Sequence, residues 1–187
     1  AKDTDKIQIV LNGVSLTCSD FAPIYIKNAD KVFLTLAENT INTLIDGTVY
    51  TQIDETNVDG VIFSKSDLTI NGNGKLIITG NYQHGIVSKD DLVITGGDIN
   101  ITALKDALNG KNCVKIKDGI LELSTETGNG IQSKNAEDTT KGYVYIAGGK
   151  IIVTKCQEGI EGTVIIVEDG TINVTAQDDG FNAASGK

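Results

Sequence analysis

The protein has 187 residues, of which 21 are glycine and one is proline, and all 16 basic residues are lysine because arginine is absent. This length suits one domain with a sizeable core. The formal net charge of -9 argues against a nucleic-acid-binding protein, which would carry a basic surface. The sequence contains no run of about 18 apolar residues and therefore predicts no transmembrane helix. Its three scattered cysteines predict neither a disulfide framework nor a zinc site.

The N-terminal third, residues 1–57, alternates apolar and polar residues in a loose arrangement. The stretches KIQIVLNGVSLT and APIYIKNADKVFLTLAENTINTLIDG both follow this pattern, which is typical of strands with one buried face. We expect irregular repeats here, with a longer excursion around Tyr50–Asn57.

Residues 58–187 repeat one turn at regular intervals. The turns begin at Asp59, His84, Asp106, Asn129, Glu158 and Asp179. These starts are separated by 25, 22, 23, 29 and 21 residues, and an insertion at residues 134–142 accounts for the longest spacing. Self-similarity at this period is typical of a solenoid.

Each repeat reads as two alternating stretches joined by a glycine bend, as in LVITGGDINIT and VKIKDGILELS. Residues at equivalent inward places, such as Leu92, Val114 and Val144, are apolar in successive repeats, so stacking the repeats would form continuous apolar rows. The pattern predicts an all-β protein with a single domain over residues 1–187. We expect a right-handed parallel β-helix with about 22 residues per coil.

Within the recurring turn, the sequence alignment forms a polar column. Three residues after the first turn position, the column reads Ile62, Val87, Asn109, Gln132, Glu161 and Asn182. Carboxylates on neighbouring parallel strands would lie ~4.8 Å apart and repel by roughly 3.5 kcal/mol at an effective dielectric of 20. Calcium would neutralise them with oxygen ligands, although asparagine and aspartate also satisfy backbone groups at such corners. The candidate calcium ligands are Asp106, Asn109, Asn129, Gln132, Glu158, Glu161, Asp178, Asp179 and Asn182.

Two further sets of residues are candidates for carbohydrate contacts. A lysine column aligns Lys65, Lys89, Lys111 and Lys134. It is either a solvated face that balances nearby carboxylates or a cationic strip that an acidic polymer could follow. Tyr143 and Tyr145 share one outward face, where their rings would either stack on sugars or cover the sheet.

The runs DGVIFSKSDLTINGNGKLIITGN and HGIVSKDDLVITGGDINIT, with DDGFNA at the end, resemble a family of bacterial secreted carbohydrate-binding β-helix proteins. The fold of that family is like that of pectate lyases, and the resemblance covers about Ile7–Ala183. It implies a secreted or cell-surface protein with calcium in the turns. It also implies affinity for plant cell-wall polysaccharides, namely cellulose and acidic pectin-type chains such as polygalacturonate. The turn departs from the usual DGI at residues 106–108.

Two functions fit these residues. The first is a monomeric binding protein whose partner is a polysaccharide. The second is a calcium-dependent lyase that uses Lys89 or Lys111 as the base for β-elimination. Such a base requires burial or neighbouring cations, and nearby carboxylates would oppose it unless calcium masks them. A hydrolase with paired carboxylates is a weaker third alternative, because it needs specific separations across a bound sugar.

Overall fold

The computed structural model of the protein describes residues 1–183, and within that range every regular element is a β-strand. The strands, numbered in chain order, form two parallel sheets. No helix among the described residues is long and apolar enough to cross a membrane.

The larger sheet has ten strands. They are β1 (Lys6–Leu11), β2 (Ser15–Thr17), β4 (Lys31–Leu36), β5 (Ile41–Ile45), β7 (Asp67–Gly72), β8 (Lys75–Gly80), β10 (Asp91–Ala103), β12 (Cys113–Thr125), β14 (Tyr143–Lys155) and β16 (Val164–Val174). The smaller sheet has seven strands. They are β3 (Ile24–Ile26), β6 (Gly60–Ser64), β9 (His84–Ser88), β11 (Leu108–Gly110), β13 (Ile131–Ser133), β15 (Ile160–Gly162) and β17 (Phe181–Ala183).

Successive repeats of the chain lie next to each other in both sheets. The larger sheet follows the order β1-β4-β7-β10-β12-β14-β16, and the smaller sheet follows β3-β6-β9-β11-β13-β15-β17. The chain therefore visits the two sheets alternately. The first three repeats each add two strands to the larger sheet, namely β1 and β2, β4 and β5, and β7 and β8, whereas each later repeat adds one longer strand. This arrangement brings the same position of every repeat into one row.

Glycine makes the bend within the larger sheet. Gly72, Gly97, Gly119, Gly149 and Gly170 all have positive φ, a conformation that glycine adopts without steric cost. At Gly149 a side chain would also collide with the repeat before it, because an added Cβ would lie 2.8 Å from the carbonyl oxygen of Gly119. Glycine is therefore favoured at this bend from β7 onward, whereas Asn39 takes the positive φ between β4 and β5.

The inward side chains of the larger sheet form apolar rows across the repeats. Leu92 pairs with Val114, which pairs with Val144, and all three are fully buried. The predicted inward positions are confirmed for these interior repeats. Val167 in the last repeat is 47% exposed, because no strand follows β16 on that side within residues 1–183.

A second apolar cluster lies on the outer side of the smaller sheet. The segment between β5 and β6, residues 46–59 and hereafter the excursion, packs Tyr50 and Val58 against Phe63 and Val87. Phe63 is fully buried and Val87 is 1% exposed. The predicted excursion thus covers the outer side of the N-terminal repeats of this sheet.

Candidate functional site

The outward row of the smaller sheet changes from apolar to polar along the stack. The register places Tyr25, Phe63, Val87, Asn109, Gln132, Glu161 and Asn182 in one row. The sequence prediction that puts Ile62 in this row is wrong by one residue. Gly60, not Asp59, pairs with His84, and Ile62 is instead part of the main core.

From the fourth repeat of this sheet onward, the polar side chains bond to one another. The members of this polar ladder are Asp106, Asn109, Asn129, Gln132, Glu158, Glu161 and Asn182. In its first part, Asn109 Nδ2 donates to Asp106 Oδ2 at 2.7 Å and to Gln132 Oε1 at 3.1 Å. The backbone N–H of Asn129 donates to Asp106 Oδ1 at 2.9 Å. The buried carboxylate of Asp106 is therefore held by amide donors from its own and the next repeat.

The second part of the polar ladder centres on two glutamates. Glu161 Oε2 accepts from Asn129 Nδ2 and from Gln132 Nε2, both at 2.6 Å, and Glu161 also forms an ion pair with Lys134. Glu158 Oε1 accepts from Asn182 Nδ2 at 2.7 Å. Amide and ammonium donors thus lie between the carboxylates, and this placement offsets the repulsion expected from the sequence.

The only histidine of the chain stands at the head of the polar ladder. His84 Nδ1 lies 3.1 Å from the backbone nitrogen of Asp106 and 3.2 Å from its Oδ2. Burial alone would raise the pKa of Asp106, but His84, Asn129 and Asn109 stabilise the charged form and the net pKa is below its ordinary value. The carboxylate at this end of the polar ladder is consequently ionised at neutral pH.

The donor chemistry of the polar ladder fits a hard cation. Its side chains offer carboxylate and amide oxygens, the ligand types that calcium takes. Glu158 is half-buried, and in the next repeat the exposed Asp178 and Asp179 precede Asn182. Of the predicted ligands, these two aspartates make no side-chain hydrogen bond within residues 1–183, whereas the other seven belong to the bonded network.

A second acidic group lies at the corner that follows the smaller sheet. Carboxylate oxygens of Asp67, Asp90 and Asp91 lie within 4.8 Å of one another. Lys31 reaches Asp67 at 3.3 Å and Lys115 reaches Asp91 at 3.4 Å. This group was not among the predicted sites, although the aspartates that follow Lys65 and Lys89 in adjacent repeats were a visible signal.

The lysine column occupies one row, as its neighbours Ser64, Ser88, Gly110 and Ser133 are in register. Lys89 lies 3.7 Å from Asp59 and 5.1 Å from the ring centre of Phe63, and Lys111 lies 2.9 Å from Glu137. Lys134 pairs with Glu161. Lys65 alone has no carboxylate within ion-pair distance among residues 1–183, so most of the column is electrically balanced.

Tyr143 and Tyr145 lie on the larger sheet and not beside the polar ladder. Lys115 sits 5.3 Å from the ring centre of Tyr143, and the hydroxyl of Tyr145 donates to Glu168. The two tyrosines pair with Val164 and Ile166 of the next strand, which are 49% and 42% exposed. The tyrosines therefore belong to a separate, partly apolar surface.

Comparison with known proteins gives a consistent description. Residues 1–186 match the family described as "Carbohydrate-binding domain-containing protein". A relative from Acetivibrio thermocellus with the same description is 39% identical over 155 residues, which cover 82% of this chain and 54% of the relative. The chain thus spans about half the length of that relative.

A similar solved structure is the gadolinium derivative of a polysaccharide lyase-like protein from C. thermocellum. It superimposes with a TM-score of 0.93 at 33% sequence identity and covers 97% of this chain and 74% of that chain.

Proposed function

The chain belongs to the family of carbohydrate-binding domain-containing proteins, and from this we propose that it is an extracellular protein that binds plant cell-wall polysaccharides. Its main ligands are acidic chains of the polygalacturonate type, and cellulose is a second candidate. The observation that carries the proposal is the open outer face of the smaller sheet, where the polar ladder and the lysine column run side by side over several repeats. A linear polymer can follow such repeated groups.

The two parallel sheets support a finer description of the fold. The chain passes through them alternately, all pairs are parallel, and equivalent residues stay in register. We propose that the repeats close into a parallel β-helix of about 22 residues per coil. Connections between parallel strands of one sheet are nearly always right-handed, so this β-helix is right-handed.

Calcium is the proposed cofactor, held by the polar ladder together with Asp178 and Asp179. The support is the all-oxygen character of the carboxylate and amide acceptors. The solved relative is a gadolinium derivative, and gadolinium, like calcium, is a hard cation. When bound, calcium would supply positive charge beside an acidic sugar and neutralise the carboxylates of this chain.

The protein's own groups would contribute in two ways. The lysine column would attract the carboxylates of an acidic chain, and the partly exposed amides of Asn109 and Gln132 would exchange hydrogen bonds with sugar hydroxyls. Separately, Tyr143 and Tyr145 would present ring faces to a neutral glycan. Two chemically different surfaces are therefore available for the two classes of polymer.

A calcium-dependent lyase is the alternative function, favoured by the polysaccharide lyase-like structural neighbour. Its base would be Lys89 or Lys111. Both ammonium groups already contact carboxylates of this chain, so their arrangement supports binding over elimination. Sustained release of unsaturated uronide from polygalacturonate with calcium, followed by ultraviolet absorbance, would favour the lyase.

The binding proposal is tested by affinity electrophoresis through gels that contain polygalacturonate, with calcium or with EGTA. We expect retardation of the protein in calcium and weaker retardation in EGTA. A gel with neutral galactan is the control for charge. Unretarded migration in every gel, including one with soluble cellulose derivatives, would reject the proposed function.

A further inference from the structure

A shallow pocket that is open to solvent lies beside the tip of the excursion, at the N-terminal end of the lysine column. Lys27, Asp54, Glu55, Thr56 and Lys65 line it, and its volume is about 300 Å³. This volume is at the lower end of the range for small-molecule sites and accommodates a single sugar ring. We call it the excursion pocket.

One wall of the excursion pocket is fixed by Asp54. Its carboxylate accepts hydrogen bonds from the Tyr25 hydroxyl at 3.1 Å and from the backbone N–H of Thr56 at 2.8 Å. The Lys27 ammonium lies 2.8 Å from Asp54 Oδ2. Lys27 and Thr56 hold the pKa of Asp54 well below its ordinary value. The wall is therefore formed before any ligand arrives, and the charge of Lys27 is already neutralised.

The lining of the excursion pocket also carries a lysine without an ion-pair partner among residues 1–183. Lys65 is exposed and belongs to the same row as Lys89, Lys111 and Lys134, but within residues 1–183 only Lys65 of the four has no carboxylate partner. Glu55 is also exposed in the same cavity. A complementary ligand thus needs a carboxylate for Lys65 and hydroxyl groups that Glu55 can accept from.

We propose that the excursion pocket binds one uronate residue of an acidic polysaccharide, with the sugar carboxylate on Lys65 and its hydroxyl groups directed to Glu55 and Thr56. This proposal rests on the proposed function and deepens it by adding a site for a single charged sugar. An acidic chain that follows the lysine column toward the N-terminal repeats would reach this pocket. The contact with Lys65 requires no metal ion.

The test is titration of the isotopically labelled protein with trigalacturonate in EGTA, followed by NMR. We expect shifts of the backbone amides of residues 54–56 and of Lys65. The Lys65→Gln variant should bind trigalacturonate about fivefold more weakly, as loss of one exposed charge contact implies. The matched control is Lys117→Gln, which removes an exposed lysine outside the pocket and should bind as the parent does.

A neutral galactose trimer extends the test, since it should be insensitive to Lys65→Gln. The proposed uronate site would be overturned if the parent and Lys65→Gln bound trigalacturonate equally well. It would also be overturned if the NMR shifts avoided residues 54–56 and 65. Retardation by polygalacturonate would in that case still leave the proposed function standing. Loss of retardation by every polymer, with shifts at the pocket on trigalacturonate addition, would instead reject the polymer-binding function and keep the pocket.

Discussion

The two halves of the smaller sheet share one backbone arrangement but have opposite outer surfaces. In the N-terminal half, Phe63 and Val87 are buried under the excursion. In the C-terminal half, Asn109, Gln132 and Asn182 occupy the same row and stay partly exposed. Glu161 lies in the same row and is buried beneath Lys134 and the neighbouring amides. The outward residue of each repeat therefore differs in chemistry between the half that the excursion covers and the half that it does not.

The two halves are also stabilised by different interactions. Five of the nine aromatic residues meet in the covered half, where the rings of Tyr50 and Tyr82 stack with centres 4.3 Å apart. The open half relies on hydrogen bonds between amides and carboxylates, such as those to Glu161. Burial of apolar area stabilises the first half, whereas the second depends on every polar group having its partner.

The largest effect is expected in the covered half. Phe63→Ala should lower the free energy of unfolding by about 3–4 kcal/mol, because it removes a fully buried ring and leaves a cavity. Urea denaturation measures this change. Phe181→Ala is the matched control: Phe181 is 51% exposed, and its loss should cost less than about 1 kcal/mol. Similar costs for both variants would show that the excursion does not cover the sheet.

The open half should respond to loss of a single carboxylate. Glu161→Ala removes the acceptor of Asn129 and Gln132 and the partner of Lys134, and we expect a loss of about 2–3 kcal/mol. Thermal unfolding with and without calcium checks it, and the stabilisation by calcium should also shrink.

The exposed Glu38 supplies the control for Glu161→Ala, since Glu38→Ala changes the net charge equally. Glu38→Ala should leave both the melting temperature and its response to calcium unchanged. A calcium response that survives Glu161→Ala and Glu158→Ala in full would place the metal outside the polar ladder.

Two aspartates, one in each half, should change the free energy of unfolding in opposite directions as the pH falls. The pKa of Asp106 is lowered from 3.8 in the folded state, so its contribution to stability is present above pH 3.8 and is lost as the pH falls through the folded pKa. Burial raises the pKa of Asp46, and this effect outweighs the hydrogen bonds from Asn81 and Tyr50, which act to lower it. Protonation of Asp46 in acid therefore favours the folded state.

Urea denaturation in EGTA between about pH 6 and about pH 3 measures this difference. We expect Asp106→Asn to flatten the loss of stability in acid and Asp46→Asn to steepen it. If both variants changed the loss of stability in acid in the same direction, the opposite pKa shifts assigned to Asp106 and Asp46 would be contradicted.

The smallest effect on stability is expected in the lysine column. Lys111→Gln breaks only an exposed ion pair with Glu137, so the free energy of unfolding should be unchanged within error. Polygalacturonate binding should weaken about twofold to threefold, and the difference should vanish at high salt. The exposed Lys105 lies outside the column, and Lys105→Gln should retain the parental affinity.

The sequence correctly predicted which residues share a row from Asp106 onward, because every later repeat keeps the same number of residues between the turn and the paired strand. It failed at Asp59, where one additional residue precedes the strand and shifts Phe63 into the outward row. The aromatic cluster was also missed. Tyr50 joins Phe21 to Tyr82 in this cluster, and these three residues, which are far apart in sequence, meet only when the excursion folds back.

The bonding of the polar ladder was beyond what the sequence could predict. The two turn positions of Asn129, Glu158 and Glu161 predict crowded oxygens, but the direction of each amide group determines whether a neighbour is a donor or an acceptor. The partner of Lys111 likewise comes from the insertion at residues 134–142, whose path no repeat pattern specifies.

The polar ladder has a mechanical consequence. Its hydrogen bonds between repeats run in the same direction as the backbone bonds that join neighbouring strands, as the Asn109–Gln132 and Gln132–Glu161 contacts show. A force that pulls the repeats apart along the stacking direction must break both sets of bonds at each step. Under tension the repeats should therefore separate last where the polar ladder is continuous.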